Sequence, residues 1–135
     1  MTTTPAPLSG FDSLIGFTVT EITAEQVVGT LPVRPDLHQP YGILHGGVYA
    51  AMVETAASIG GAVWFGDRGH VVGVSNTTNF LKATREGTLT AVATPLQRGR
   101  TQQLWNVAIT DDTGRLVASG QVRLANITDP AQIGA

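Results

Sequence analysis

The chain has no cysteine in its 135 residues, which excludes a disulfide scaffold. Charge is scarce. Asp, Glu, Lys and Arg make up 13% of the residues, about half the share usual in globular domains. Eight basic residues stand against ten acidic ones, for a net charge of −2. With no basic excess to neutralise phosphates, a nucleic-acid partner is not expected. The opening MTTTPAPLSG has neither a basic start nor an apolar run, so a cytoplasmic location is expected. A small domain this poor in charge is expected to hide surface against a copy of itself.

What is present is a core. The hydrophobic fraction is 42%, too high for a disordered chain, and the length is that of one domain. The most apolar stretch, residues 46–65, is long enough to tempt a membrane-spanning reading. Glu54 near its centre, the lack of basic flanks and the richness in Gly and Ala argue against it. A central carboxylate would cost a few kcal/mol in lipid, so no membrane partner is expected.

Residues 1–9 read as a flexible tail, 10–127 as the domain and 128–135 as a C-terminal tail. Residues 11–17 suggest a helical turn, and 18–22 and 27–33 suggest strands, the second with Val27, Gly29, Leu31 and Val33 on one face. Pro35, Pro40 and Gly42 mark 34–44 as a loop. Residues 45–65 read as one long helix with a buried stripe of Val48, Met52, Ala56, Ile59 and Val63. Four strands follow, over 71–81, 88–96, about 103–109 and 116–124, with Gln103, Trp105, Val107 and Ile109 sharing a face and a hairpin turn at 111–114. His70 is expected in a loop. Short links make the strands mostly antiparallel, so the fold class is α+β, one helix across a curved antiparallel sheet. Open sheet edges favour dimer formation.

Glu54 is the only charged residue between His45 and Phe65, with Ala50, Ala51, Ala57 and Ser58 three and four positions away. A carboxylate without a cationic neighbour in apolar surroundings suits a general base or nucleophile. The competing reading is a solvent-facing Glu on the exposed stripe. Ser58, one turn later, shares its face. His45-Gly46-Gly47 opens the helix, where free N–H groups could polarise a carbonyl oxygen. The competing reading is a simple cap. His38, His45 and Glu54 lack metal-ligand spacing, and no GxSxG elbow or phosphate loop is present. Gly46 and Glu54 lie about 12 Å apart along one helix, so a shared reacting carbonyl requires two helices meeting across a dimer interface. Met52, Thr55, Ile59 and Tyr41 are the expected lining of the substrate pocket.

The string Gln39-Pro40-Tyr41-Gly42-Ile43-Leu44-His45-Gly46-Gly47, followed by Glu54 and Ser58, resembles the hotdog-fold acyl-CoA thioesterases, and within them the Arthrobacter-type 4-hydroxybenzoyl-CoA and phenylacetate-pathway enzymes. The resemblance covers roughly residues 10–127 and implies hydrolysis of an acyl- or aroyl-CoA to free acid and CoA. It implies Glu54 as catalytic carboxylate, with Gly46 N–H polarising the carbonyl and Gln39 bonding near the thioester. Ser58 would place water, and His45 would lie beside the leaving sulfur. Gln39, His45 and Gly46 would come from one subunit, Glu54 and Ser58 from the other. Coenzyme A would meet Gly73, then Phe80, Leu81, Lys82 and Ala83, and Gln97, Arg98, Gly99, Arg100, Thr101 and Gln102. The chain departs from related members in carrying Phe80 in place of His, and Arg100-Thr101-Gln102 in place of Ser-Arg-His. The expected assembly is a homodimer, paired further into a homotetramer. No cofactor beyond CoA as part of the substrate, and no metal, is implied. A hotdog enoyl-CoA hydratase or dehydratase, or a non-catalytic acyl-CoA-binding protein, are the alternatives.

Overall fold

The computed structural model describes residues 6–134; part of each expected tail, residues 1–5 and 135, lies outside them. Alternation builds the sheet. In β2 (Val27–Pro32) every second residue, Val27, Gly29 and Leu31, is buried. In β5 (Gln102–Thr110) the buried set is Gln103, Trp105, Val107 and Ile109, as the pattern predicts. Period two puts each set on one face of the pleat. That face covers α2 (Gly46–Phe65), a twenty-residue helix.

The elements run α1 (Gly10–Ile15), β1 (Thr18–Ile22), β2, α2, β3 (His70–Phe80), β4 (Thr88–Arg98), β5 and β6 (Leu116–Ile127). The six strands form one sheet in the order β1-β2-β4-β5-β6-β3, and each neighbouring pair is antiparallel. This is the α+β hotdog arrangement expected from the sequence: one long helix held by a curved sheet.

Two expectations need correction. The helix stripe is wider than predicted and runs differently: Val48, Tyr49, Met52, Val53, Ala56, Ala57, Gly60, Gly61 and Phe65 are buried. Val63 is exposed and Ile59 only half-buried. Pairs of adjacent residues recurring every four positions fill the broad floor of a sheet, where a single 3–4 spaced row would fit a narrow groove. His70 is not in a loop; it opens β3 opposite Ile127. Although β4 follows β3 by a short link, the two do not pair. Residues 81–87 carry the chain away from β3, which pairs with β6 at the sheet's other end.

The β5–β6 turn is tied by Asp111. Its carboxylate accepts from the Thr113 hydroxyl at 2.7 Å and N–H at 2.9 Å, from the Arg115 N–H at 3.0 Å, and from the Arg115 guanidinium at 2.9 Å. These bonds, the Thr113 hydroxyl first, hold the Asp111 carboxyl well below the ordinary carboxylate range. A depressed acid stabilises the fold above its unfolded-state value and loses that contribution as pH falls below it. Asp111→Asn is therefore expected to lower Tm at pH 7, and the gap from the wild type should shrink steadily from about pH 4 downward. Melting curves across that range would check it; a gap that persists at the lowest pH would contradict the assignment.

Candidate active site

α2 begins where the loop before it is pinned. The Leu44 N–H donates to Thr84 O and the His45 N–H to Leu37 O, at 2.8 and 2.9 Å. His45 is the N-cap: its Nδ1 accepts from the Gly47 N–H at 2.8 Å. The capping reading thus holds for His45, and it leaves the neighbouring donor available. Among the described residues no hydrogen bond uses the Gly46 N–H.

A pocket of about 290 Å³ opens beside this helix start. Its walls include Gln39, Gly46, Tyr49, Phe80, Leu81, Lys82 and Ala83, so the structure brings together the predicted carbonyl-side residues and the first predicted CoA segment. Gln39 Oε1 accepts from the Tyr41 N–H; its Nε2 is the donor left for a ligand. The Phe80 ring lies so close to Gly46 that a Cβ there would collide with it. Phe80 also stacks on Tyr49, with ring centroids 5.8 Å apart. The Tyr49 hydroxyl reaches Thr84 Oγ1 at 2.8 Å and Lys82 O at 3.2 Å, and burial pushes the phenol above its ordinary value. Tyr41 is not in this wall; it stands 84% exposed on the loop.

Glu54 faces a second pocket, of about 320 Å³, lined by Leu8, Asp12, Glu54, Thr55, Ser58, Ile59, Ala62 and Val71. Ser58 and Glu54 share it as their spacing predicts. Met52 does not: it is wholly buried against the sheet, on the opposite side of the helix. Glu54 is exposed in the single chain and enters no salt bridge among the described residues. Its carboxyl lies over β3, 3.6 Å from where a Cβ on Gly73 would stand, an ordinary van der Waals distance. Asn76 Nδ2 donates to Ala50 O at 3.0 Å and reaches Glu54 Oε1 at 3.4 Å, while Thr78 Oγ1 donates to Asn76 Oδ1 at 2.7 Å.

Two residues near Glu54 escaped the sequence reading. Asn76 meets it only because β3 crosses the helix, and Asp12 only because α1 docks there, with Thr55 Oγ1 donating to Asp12 Oδ1 at 2.6 Å. Neither contact has a local sequence signal.

The remaining predicted CoA segment lies elsewhere. Arg98, Gly99 and Arg100 line a pocket of about 540 Å³ with Trp64, Phe65, Arg68 and Thr128, at the C-terminal end of α2. Gln97, Thr101 and Gln102 flank this turn, and Gln102 Oε1 accepts from Arg123 at 2.8 Å. One chain therefore does not unite this segment with Phe80–Ala83: the two sit at opposite ends of a helix about 30 Å long. His38 Nε2 lies 2.9 Å from Arg85 O. Among the described residues no three His, Asp or Glu side chains are close enough to hold a metal ion. The segment 46–68 is long and apolar enough to cross a membrane, and half of its apolar 18-residue window is buried inside the fold.

Comparison with known proteins agrees with this fold. The profile of the thioesterase superfamily matches residues 41–118. The candidate esterase Rv1847 of Mycobacterium tuberculosis is 49% identical over 91% of this chain and 92% of its own. Its solved structure superposes with a TM-score of 0.85 over 87% of this chain and 95% of that one. A 1,4-dihydroxy-2-naphthoyl-CoA hydrolase from Listeria monocytogenes is 34% identical, over 86% of this chain and 94% of its own. The proofreading thioesterase EntH of Cronobacter sakazakii is 33% identical, over 82% and 81%.

Proposed function

This chain belongs to the thioesterase superfamily, and from that premise we propose that it hydrolyses acyl- or aroyl-CoA thioesters with Glu54 as the catalytic carboxylate. The observation that carries the reading is the division of labour along α2. A Gly46 N–H unused among the described residues, beside Gln39, faces one pocket. The Glu54 carboxylate, without a salt-bridge partner among the described residues and beside Ser58, faces another. No carbonyl can reach both within one chain, so two copies supply one reaction centre: Gln39, His45 and Gly46 from one, Glu54 and Ser58 from its partner. The exposed edge strand β3 is the surface through which they pair, and a homodimer, assembled further as a homotetramer, is the working unit.

The Gly46 N–H and the Gln39 amide polarise the thioester carbonyl and stabilise the charge that grows on its oxygen. Glu54 either attacks the carbonyl carbon, giving an anhydride that water opens, or takes a proton from a water that attacks directly. The anhydride route makes an acyl–Glu54 C–O bond as the C–S bond breaks and then exchanges it for a C–O bond to water; the direct route makes only the bond to water. The net change in both is one C–O bond for one C–S bond, with the water proton leaving on the thiol. Ser58 holds the water. Water and the carboxylate supply the chemistry, so the reading includes no metal or redox cofactor, and a small cytoplasmic thioester is the substrate. The 1,4-dihydroxy-2-naphthoyl-CoA hydrolysis named for the Listeria relative favours an aroyl group, as does the resemblance to 4-hydroxybenzoyl-CoA thioesterases; the resemblance to phenylacetate-pathway enzymes adds arylacetyl groups.

A panel of aliphatic and aromatic acyl-CoA esters, with trapping of released thiol and product detection, tests the proposal. Free thiol and free acid in equal amounts are expected, with one acyl class preferred. Enoyl-CoA converted to a hydroxyacyl ester with the thioester intact would replace hydrolysis with hydration. Tight binding without turnover across the panel would make the chain a binding protein.

A further inference from the structure

One fully buried amide has no part in the chemistry above. Gln103 Nε2 donates to Gly61 O at 3.2 Å and to Asn126 Oδ1 at 2.8 Å, and its Oε1 accepts from the Trp105 indole at 2.8 Å. Asn126 extends the chain of bonds outward. Its Nδ2 donates to Gly99 O at 2.9 Å and Arg100 O at 3.2 Å, and its N–H donates to Thr101 O at 2.9 Å. One residue thus grips three consecutive carbonyls of the β4–β5 turn. That turn is already closed by the Gly99 N–H on Gln102 O at 2.9 Å, so the grip does more than make a hairpin. A satisfied buried polar network fixes geometry rather than merely adding cohesion.

The gripped turn forms one wall of the pocket at the end of α2. The other wall is Trp64 with Arg68, whose guanidinium stacks on the indole 4.4 Å from its centre. Arg68 directs Nε and Nη2 to Phe65 O and Trp64 O. Arg98 directs its donors to Ala24 O and Glu25. Arg100, exposed at the tip, enters no salt bridge among the described residues, and its own carbonyl is one that Asn126 holds. No carboxylate lines the pocket. Guanidinium groups around an aromatic face, without an acid, suit a flat group bearing phosphate.

We propose that Asn126 is a positioning residue: through the Gly99 and Arg100 carbonyls it aims Arg100 into the pocket at the end of α2, which takes the phosphorylated nucleotide of a CoA thioester. The nucleotide's identity rests on the reading of the substrate as a CoA ester. Asn126→Asp keeps an acceptor for Gln103 but turns an oxygen toward the two carbonyls; Asn126→Ala removes the side chain without adding charge and guards against misfolding of the first. Two measurements separate the claims. Calorimetry with adenosine 3′,5′-bisphosphate reads the pocket directly. Kinetics with one acyl group carried on CoA and on pantetheine read its use.

In both variants the bisphosphate affinity and the acyl-CoA KM are expected to worsen about tenfold, the equivalent of about 1.4 kcal/mol. The kcat, and both constants for the pantetheine ester, should stay at wild-type values. Arg100→Ala should weaken bisphosphate binding alike. Equal damage to both esters would reduce Asn126 to a structural role, and unaltered bisphosphate binding in the variants would overturn the proposal. Bisphosphate binding that weakens in the variants of a protein that hydrolyses no thioester would keep the positioning role and remove the hydrolase. A wild-type enzyme that hydrolyses both esters with one KM and does not bind the bisphosphate would do the reverse.

Discussion

Glu54→Ala is expected to lower thioester turnover about 10³-fold while leaving the fold intact; removing a positioned acid–base group typically costs 10²–10⁴-fold. The side chain is exposed in the chain, and among the described residues its one hydrogen-bond contact is the 3.4 Å approach of Asn76. Truncation therefore breaks nothing that holds the domain together, and exposed substitutions of this kind change stability by about 0.5 kcal/mol or less. Glu54→Gln keeps the shape and the Asn76 contact but removes the charge, and should be as inactive as the alanine form. Near wild-type thiol release from either variant, with an unchanged melting curve, would dismiss Glu54 as the acting group. The proposed partition of the site between two copies adds a sharper outcome. Glu54→Ala and Gln39→Ala chains, each feeble alone, should regain about a quarter of the wild-type rate when coexpressed, because mixed dimers contain one centre without either defect. A coexpressed sample that forms mixed dimers and stays inactive would place both groups within one chain's reach.

Trp105→Ala is expected to cost about 4 kcal/mol, within the range for emptying a buried tryptophan site. The indole is 1% exposed and packs so tightly on α2 that a Cβ on Gly60 would collide with it. Its loss would open a cavity between helix and sheet and also unpair Gln103 Oε1, which accepts from the indole N–H, at the further cost of a buried group without a partner. Small domains hold only about 5–15 kcal/mol in all. Urea unfolding followed by fluorescence of the remaining tryptophan, Trp64, should show the midpoint falling steeply. A loss below about 1.5 kcal/mol would mean the site collapses around the gap.

Much of this was legible because the physics is local. Alternation in β2 and β5 is visible in the residues themselves, and so is the turn at 111–114. The unbalanced carboxylate at Glu54 and the glycine-rich helix start needed only spacing to be noticed, and the mismatch between their separation and one carbonyl's reach is what makes a two-chain site the expectation. What the sequence concealed depends on distant packing. His70 looks like a loop residue because Gly66 and Gly69 precede it, yet pairing with Ile127 makes it a strand. Val63 fits the apolar period of the helix, but the sheet's floor meets α2 along a different line. Asn76, Asp12 and Asn126 owe their contacts to a strand crossing the helix, a docked helix and the neighbouring β4–β5 turn, all distant in sequence.

The ring of Phe80 over Gly46 has a consequence for how such proteins diversify. Glycine at position 46 answers two demands at once, room for an aromatic neighbour and an unobstructed amide. A lineage with a small side chain at position 80 escapes the first demand, so variation at 46 among its members would reveal whether the second alone preserves glycine.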